Sequence, residues 1–174
     1  MLSKASELFY RDGIRAVGVE RIITATPTTR ATFYRHFPSK DELVDAYLLD
    51  TDAGIRAAFA SAAAHATSPV NRVELLIDGL ADDIESHTRG CPFINAAAEF
   101  PDPKSDVRLS IERHREWFRS AVADALTDAG VDHADEAAVE LLLLRDAAMV
   151  GGYLDGWAAV RDAFISSARR AARI

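Results

Sequence analysis

Two short apolar stripes separated by a three-residue turn constrain this chain more than any other feature in it. Val19, Ile22 and Ile23 recur at helical spacing over residues 19–25; Thr26, Pro27 and Thr28 interrupt them; Phe33 and Phe37 then resume the pattern four apart. Thr29 offers a side-chain oxygen to cap a new helix, so the segment reads as helix, turn, helix. Arg30, Thr32, Tyr34, Arg35 and His36 fall off the face that the two phenylalanines share, which leaves one side for a core and the other for a polar partner. From Arg21 to Lys40 there are four basic side chains (Arg21, Arg30, Arg35, Lys40) and no carboxylate, in a 174-residue chain of formal net charge -7. That reversal of sign points to a polyanion, and a helix pair at this spacing is the arrangement that seats a recognition helix in the DNA major groove.

Gly13-Ile14-Arg15-Ala16-Val17-Gly18-Val19, then Arg21-Ile22-Ile23 and Thr29-Arg30-Ala31-Thr32-Phe33-Tyr34-Arg35-His36-Phe37-Pro38-Ser39-Lys40, closely resembles the DNA-binding domain of the tetracycline-repressor-like (TetR) regulators over about the first fifty residues. The resemblance implies that Arg30, Ala31 and Tyr34 face base edges, with Thr29, Thr32, His36 and Lys40 on the phosphates. The turn departs from the family pattern, which usually has a small residue, a glycine and an apolar residue where Thr26, Pro27 and Thr28 stand. The chain also begins inside the expected first helix, without the basic arm that many members carry, so a lower DNA affinity is expected.

The remaining elements all read as helices. The first, residues 2–12, places Leu2, Ala5, Leu8 and Phe9 on one face, with Gly13 as its C-cap. Ser39-Lys40-Asp41-Glu42 is a capping box behind Pro38, and the helix it opens carries Leu43, Val44, Tyr47, Leu48, Ile55 and Phe59 to about residue 64. Further helices are expected over residues 69–87, 92–99 and 105–128, separated by breaks at Arg89-Gly90-Cys91-Pro92 and Phe100-Pro101-Asp102-Pro103. The stretch from residue 90 to 103 and the helix after it also resemble the regulatory domain of one group of TetR proteins.

Over residues 135–154 the apolar side chains Val139, Leu141, Leu142, Leu143, Leu144, Met149 and Val150 surround the helix, which must therefore be covered on more than one side. Its neighbour is a last helix over residues 157–173, with Trp157, Val160, Phe164 and Ala168 in register, and Gly151-Gly152 marks either a close backbone approach or a kink. In TetR-like proteins the last two long helices form a four-helix dimer interface, and the resemblance implies a homodimer through these two, the alternative being that the leucine run is core of a monomer.

Charge divides along the same line. Residues 1–50 hold seven Lys or Arg against seven Asp or Glu, while the rest holds 13 against 20, so the whole negative excess follows residue 50. The expected organisation is all-α: a three-helix helix-turn-helix domain over residues 1–48 joined to a helical ligand-binding and dimerisation domain over residues 49–174.

Several chemistries find no support. There is no phosphate-binding glycine loop, nucleophile elbow or His-Glu-x-x-His, so an enzyme is not expected, and no cofactor is implied. One cysteine, Cys91, and five scattered histidines provide no metal site. Cys91 reads as a buried apolar residue, a thiol sensor being the alternative. No membrane span or signal segment is present in the sequence, and a cytoplasmic location is expected.

The expected function is a homodimeric, DNA-binding transcriptional regulator, a repressor released from a double-stranded operator by a small-molecule effector. Phe59, Phe93, Asn95, His114, Trp117, Phe118 and Tyr153 are candidate linings of the effector pocket, each with an ordinary core role as the alternative. Two rival classes share the pattern: an interaction module that keeps the helix pair without reading DNA, and a helical small-molecule binder with vestigial DNA contacts.

Overall fold

The computed structural model describes all residues, Met1–Ile174, as nine α-helices with no strand. In chain order these are α1 (Leu2–Asp12), α2 (Val19–Thr24), α3 (Arg30–His36), α4 (Lys40–His65), α5 (Pro69–Ser86), α6 (Pro92–Glu99), α7 (Asp106–Asp128), α8 (Ala134–Asp155) and α9 (Trp157–Ala172). Packing divides them into two compact units: Met1–Ala53 with Pro92–Arg113, and Gly54–Cys91 with His114–Ile174. Helices α4 and α7 run unbroken through the divisions of the chain.

Local chemistry sets the helix ends. Thr29 accepts the Thr32 amide at 3.2 Å, Ser39 accepts that of Glu42 at 3.1 Å, and Ser68 accepts that of Asn71 at 3.1 Å, so each hydroxyl satisfies an amide that the helix itself leaves orphaned. Ser105, expected as the first residue of α7, is instead its cap, accepting the Arg108 amide at 3.4 Å. Helix α2 stops at Thr24, where the Ala25 amide is shared between the Arg21 and Ile22 carbonyls, the Thr26 amide turns to the i−3 carbonyl of Ile23, and the Thr26 hydroxyl donates to the Ile22 carbonyl at 2.9 Å. Gly13 does end α1, but at φ 92° and ψ 146°, outside the left-handed helical well in which a C-cap glycine usually sits.

In the N-terminal unit, Ala5, Leu8, Phe9, Ile14, Val17, Ile22, Phe33, Leu43, Val44 and Leu48 are buried, and the Phe9 ring lies 5.9 Å from that of Tyr47. Helix α6 and the start of α7 join this unit through polar contacts. The Ser110 hydroxyl donates to the Asp45 carboxylate, and Arg108 reaches the Ala97 and Phe100 carbonyls at 3.4 Å each. The Thr28 hydroxyl, where an apolar residue would be usual, is buried without a hydrogen-bond partner. Thr28→Val keeps the shape and removes that unsatisfied group, so it is expected to stabilise the protein by about 1 kcal/mol. A melting temperature equal to or below that of the wild type would show that the hydroxyl is satisfied.

In the second unit, α8 and α9 pack on each other and both pack on α5. Gly151 and Gly152 lie within an unbroken α8, so they mark a close approach and not a kink. A Cβ at Gly151 would meet Val160 Cγ1 at 3.0 Å, and one at Gly152 would meet Ile84 Cγ2 at 3.6 Å. The apolar residues of α8 divide in two. Ala137, Ala138, Leu141, Ala148 and Met149 are buried, whereas Val139, Leu143, Val150 and Leu154 face solvent.

Candidate DNA-binding surface and effector cleft

Phe33 fixes the orientation of α3. Its ring is fully buried, with Tyr34 and Phe37 at ring-centroid distances of 5.2 and 6.1 Å, and this turns the opposite side of the helix outward. Thr29, Arg30, Ala31, Tyr34 and His36 are exposed, while Thr32 and Lys40 are half-buried. The Thr29 hydroxyl also donates to that of Thr32 at 3.0 Å, so both are held in place at the N-terminus of α3, where orphaned amides favour an anion. Burial lowers the pKa of Lys40, while Glu99 and Asp41 act to raise it.

The basic face is less free of carboxylates than the sequence window from Arg21 to Lys40 implies. Arg30 Nη2 lies 2.6 Å from Glu20 Oε1, and Arg21 Nη2 lies 2.6 Å from Asp12 Oδ2. Asp12 also pairs with Arg11, and hydrogen bonding from that guanidinium leads in holding its carboxyl at a pKa of about 2. Both carboxylates precede the window, Glu20 by one residue and Asp12 by nine, and the packing of α1, α2 and α3 brings them to the basic residues. The Arg30 and Glu20 side chains are largely exposed, so their pair is weak and Arg30 can exchange Glu20 for DNA at little cost.

In the second unit, Phe59, His114, Trp117 and Phe118 form one aromatic cluster. Phe59 lies 5.3 Å from the rings of both Trp117 and Phe118, His114 lies 6.1 and 6.3 Å from the same two, and Arg56 sits 4.1 Å above the Trp117 ring. Phe118 and His114 are buried, and Trp117 and Phe59 are half-buried. Phe59 also lines a cleft of about 110 Å³ with Gly54, Ile55, Leu76, Leu80 and Asp83. The other candidate linings lie elsewhere. Phe93 is fully buried and Asn95 half-buried in α6, within the N-terminal unit, while Tyr153 is on the outside of α8 and leaves half of its surface in solvent.

A buried arginine that the sequence pattern did not single out stands beside this cleft. Arg145 is 2% exposed and reaches Asp83 at 3.3 Å, Cys91 Sγ at 3.4 Å and Asp146 at 3.5 Å, with its Nε unpartnered. Burial pushes the Asp83 carboxyl up, but His87 and Arg145 more than offset this and leave it below the ordinary carboxylate range. A hydrogen bond to Asp83 correspondingly raises His87. Cys91 is buried, as expected, and serves as an acceptor for the guanidinium.

A family profile described as bacterial regulatory proteins, tetR family, matches residues 1–47. SCO4454, a TetR-family transcriptional regulator from Streptomyces coelicolor, is 38% identical, with 99% of this chain and 92% of that one aligned at a TM-score of 0.94. The chain belongs to the TetR family of transcriptional regulators. The same TetR fold recurs at lower identity in a transcriptional regulator (sav143) from Streptomyces avermitilis, at 22% identity, TM-score 0.80, and 99% and 96% coverage. It recurs again in the reduced form of NemR from E. coli, at 15% identity, TM-score 0.83, and 97% and 93% coverage. No curated protein matches the chain. No helix of this TetR protein is long and apolar enough to cross a membrane.

Proposed function

We propose that this TetR-family regulator is a homodimeric repressor that reads a double-stranded operator with α3 and is released by a small apolar effector. The observation that carries the DNA reading is the two-sided α3: Phe33 locked in the core, and Arg30, Ala31, Tyr34 and His36 presented together to solvent at a capped helix N-terminus. Arg30, Ala31 and Tyr34 are assigned to base edges, and Thr29, Thr32, His36 and Lys40 to phosphates. The exposed apolar stripe of α8 supports dimerisation through α8 and α9, since a patch of that kind on a soluble protein marks a contact surface.

The cleft beside Phe59 is assigned to the effector, with Ile55, Leu76 and Leu80 as apolar walls and Asp83 as the polar group that orients the ligand. Helix α4 carries Lys40 at one end and Ile55 and Phe59 farther along, so a ligand with different affinities for two positions of this helix would shift operator affinity in proportion.

The test begins with selection of an operator from random duplexes. Arg30→Ala is then expected to cost ~1–3 kcal/mol on that operator and to relax preference at one base pair, because a base-edge contact carries sequence information. Lys40→Ala is expected to weaken all duplexes alike and to reduce the salt dependence by about one unit. Equal losses on operator and random DNA for Arg30→Ala would remove it from the base edges. Failure of the wild type to select any sequence would favour an interaction module.

A further inference from the structure

The turn between α1 and α2 is held by a residue that lies outside the helix-turn-helix in sequence. Glu99, the last residue of α6, accepts the Ile14 amide through Oε1 at 2.9 Å and the Arg15 amide through Oε2 at 2.6 Å. One carboxylate thus satisfies two successive backbone donors with charge-assisted hydrogen bonds, and it does so across 84 and 85 residues of chain. Gly13 holds the start of this turn at φ +92°, a conformation that L side chains rarely adopt, and a Cβ there would only touch Glu99 Oε1, at 3.4 Å. Arg108 donates to the carbonyls of Ala97 and Phe100, which flank Glu99 in the chain, and so ties the end of α6 to α7.

The consequence runs through the recognition helix. Ile14 and Val17 of the same turn are buried, α2 begins at Val19, and α3 packs on α2, so the position of the turn sets where α3 stands. We propose that Glu99 is a positioning residue for DNA recognition, holding the α1–α2 turn so that α3 presents its base-reading face at the correct angle. Its charge has an opposite, weaker effect. Glu99 acts on Lys40, one of the groups assigned to phosphates, and a negative charge there opposes the approach of any DNA. The two effects separate in experiment, because positioning matters only for a sequence-specific contact whereas charge acts on every duplex.

This inference rests on the DNA-reading function proposed above. The experiment compares wild type, Glu99→Ala and Glu99→Gln by fluorescence anisotropy on the selected operator and on a random duplex, with amide hydrogen exchange as a second readout. Glu99→Ala is expected to bind the operator about tenfold more weakly while binding the random duplex no more weakly than the wild type, and its Ile14 and Arg15 amides are expected to exchange faster. Glu99→Gln keeps one carbonyl acceptor and is expected to fall between them; being isosteric, it carries the comparison if the alanine variant fails to fold. Equal losses on both duplexes would reduce Glu99 to general stability and overturn the inference. So would wild-type operator binding by Glu99→Ala, with the DNA-reading function left standing. A wild type that selects no duplex would remove both.

Discussion

Leu143→Asp is expected to sediment as a monomer at micromolar concentration and to bind the operator at least about a hundredfold more weakly than the wild type. Leu143 leaves 62% of its surface in solvent, and Val139, Val150 and Leu154 continue from it along one face of α8. In the proposed dimer that stripe meets a second copy, and an aspartate in it would bury an unpaired charge against apolar side chains. The operator effect follows from geometry. Two recognition helices ~34 Å apart share the binding energy only while the dimer holds them together, and losing the second head forfeits an avidity of 10²–10⁴. The buried side of α8, with Leu141, Ala148 and Met149, is not touched, so the helical circular dichroism spectrum should be retained. A variant that stays dimeric, or a wild type that is monomeric, would remove this stripe from the interface.

Arg145→Ala is expected to cost about 3 kcal/mol of folding stability, read as a lower urea midpoint at fixed protein concentration. The guanidinium is almost wholly buried among Asp83, Asp146 and Cys91, and it stands 5.5 Å from the Phe118 ring, so its removal leaves both a void and under-compensated carboxylates. The loss falls toward the lower end of the range for a broken buried pair, because Asp83 keeps His87 at 3.2 Å and Asp146 keeps Arg115 at 2.8 Å. Arg145→Lys is expected to recover only part of the stability, since an ammonium cannot present a planar fork to three acceptors at once. A loss below about 1 kcal/mol would show that the network adds little to the fold.

The capped helix starts at Thr29, Ser39 and Ser68 and the stops at Gly13 and Pro38 all follow from neighbours within four residues, the distance over which one helical turn acts. For that reason the nine helices, the helix-turn-helix and its outward-facing residues were legible in the sequence. The contacts that assemble the surface and the network span longer separations. Asp12 and Glu20 reach Arg21 and Arg30 only once three helices have packed, so a window beginning at Arg21 reads as free of carboxylates although the folded face is not. Likewise, nothing in the local pattern distinguishes Arg145 from a solvated charge or Glu99 from any acidic helix end.

The same difference separates the aromatic residues. Helical spacing makes Phe59, His114, Trp117, Phe118 and Tyr153 equivalent candidates, whereas packing gathers the first four and leaves Tyr153 in solvent. By itself the sequence determined the helices, their ends and the polar face of α3, because those depend on backbone hydrogen bonds and side chains one turn away. Only the tertiary structure decided which carboxylate meets which donor, from Glu99 at the α1–α2 turn to Asp83 at Arg145, because those pairings join segments 62 to 85 residues apart and nothing local encodes them.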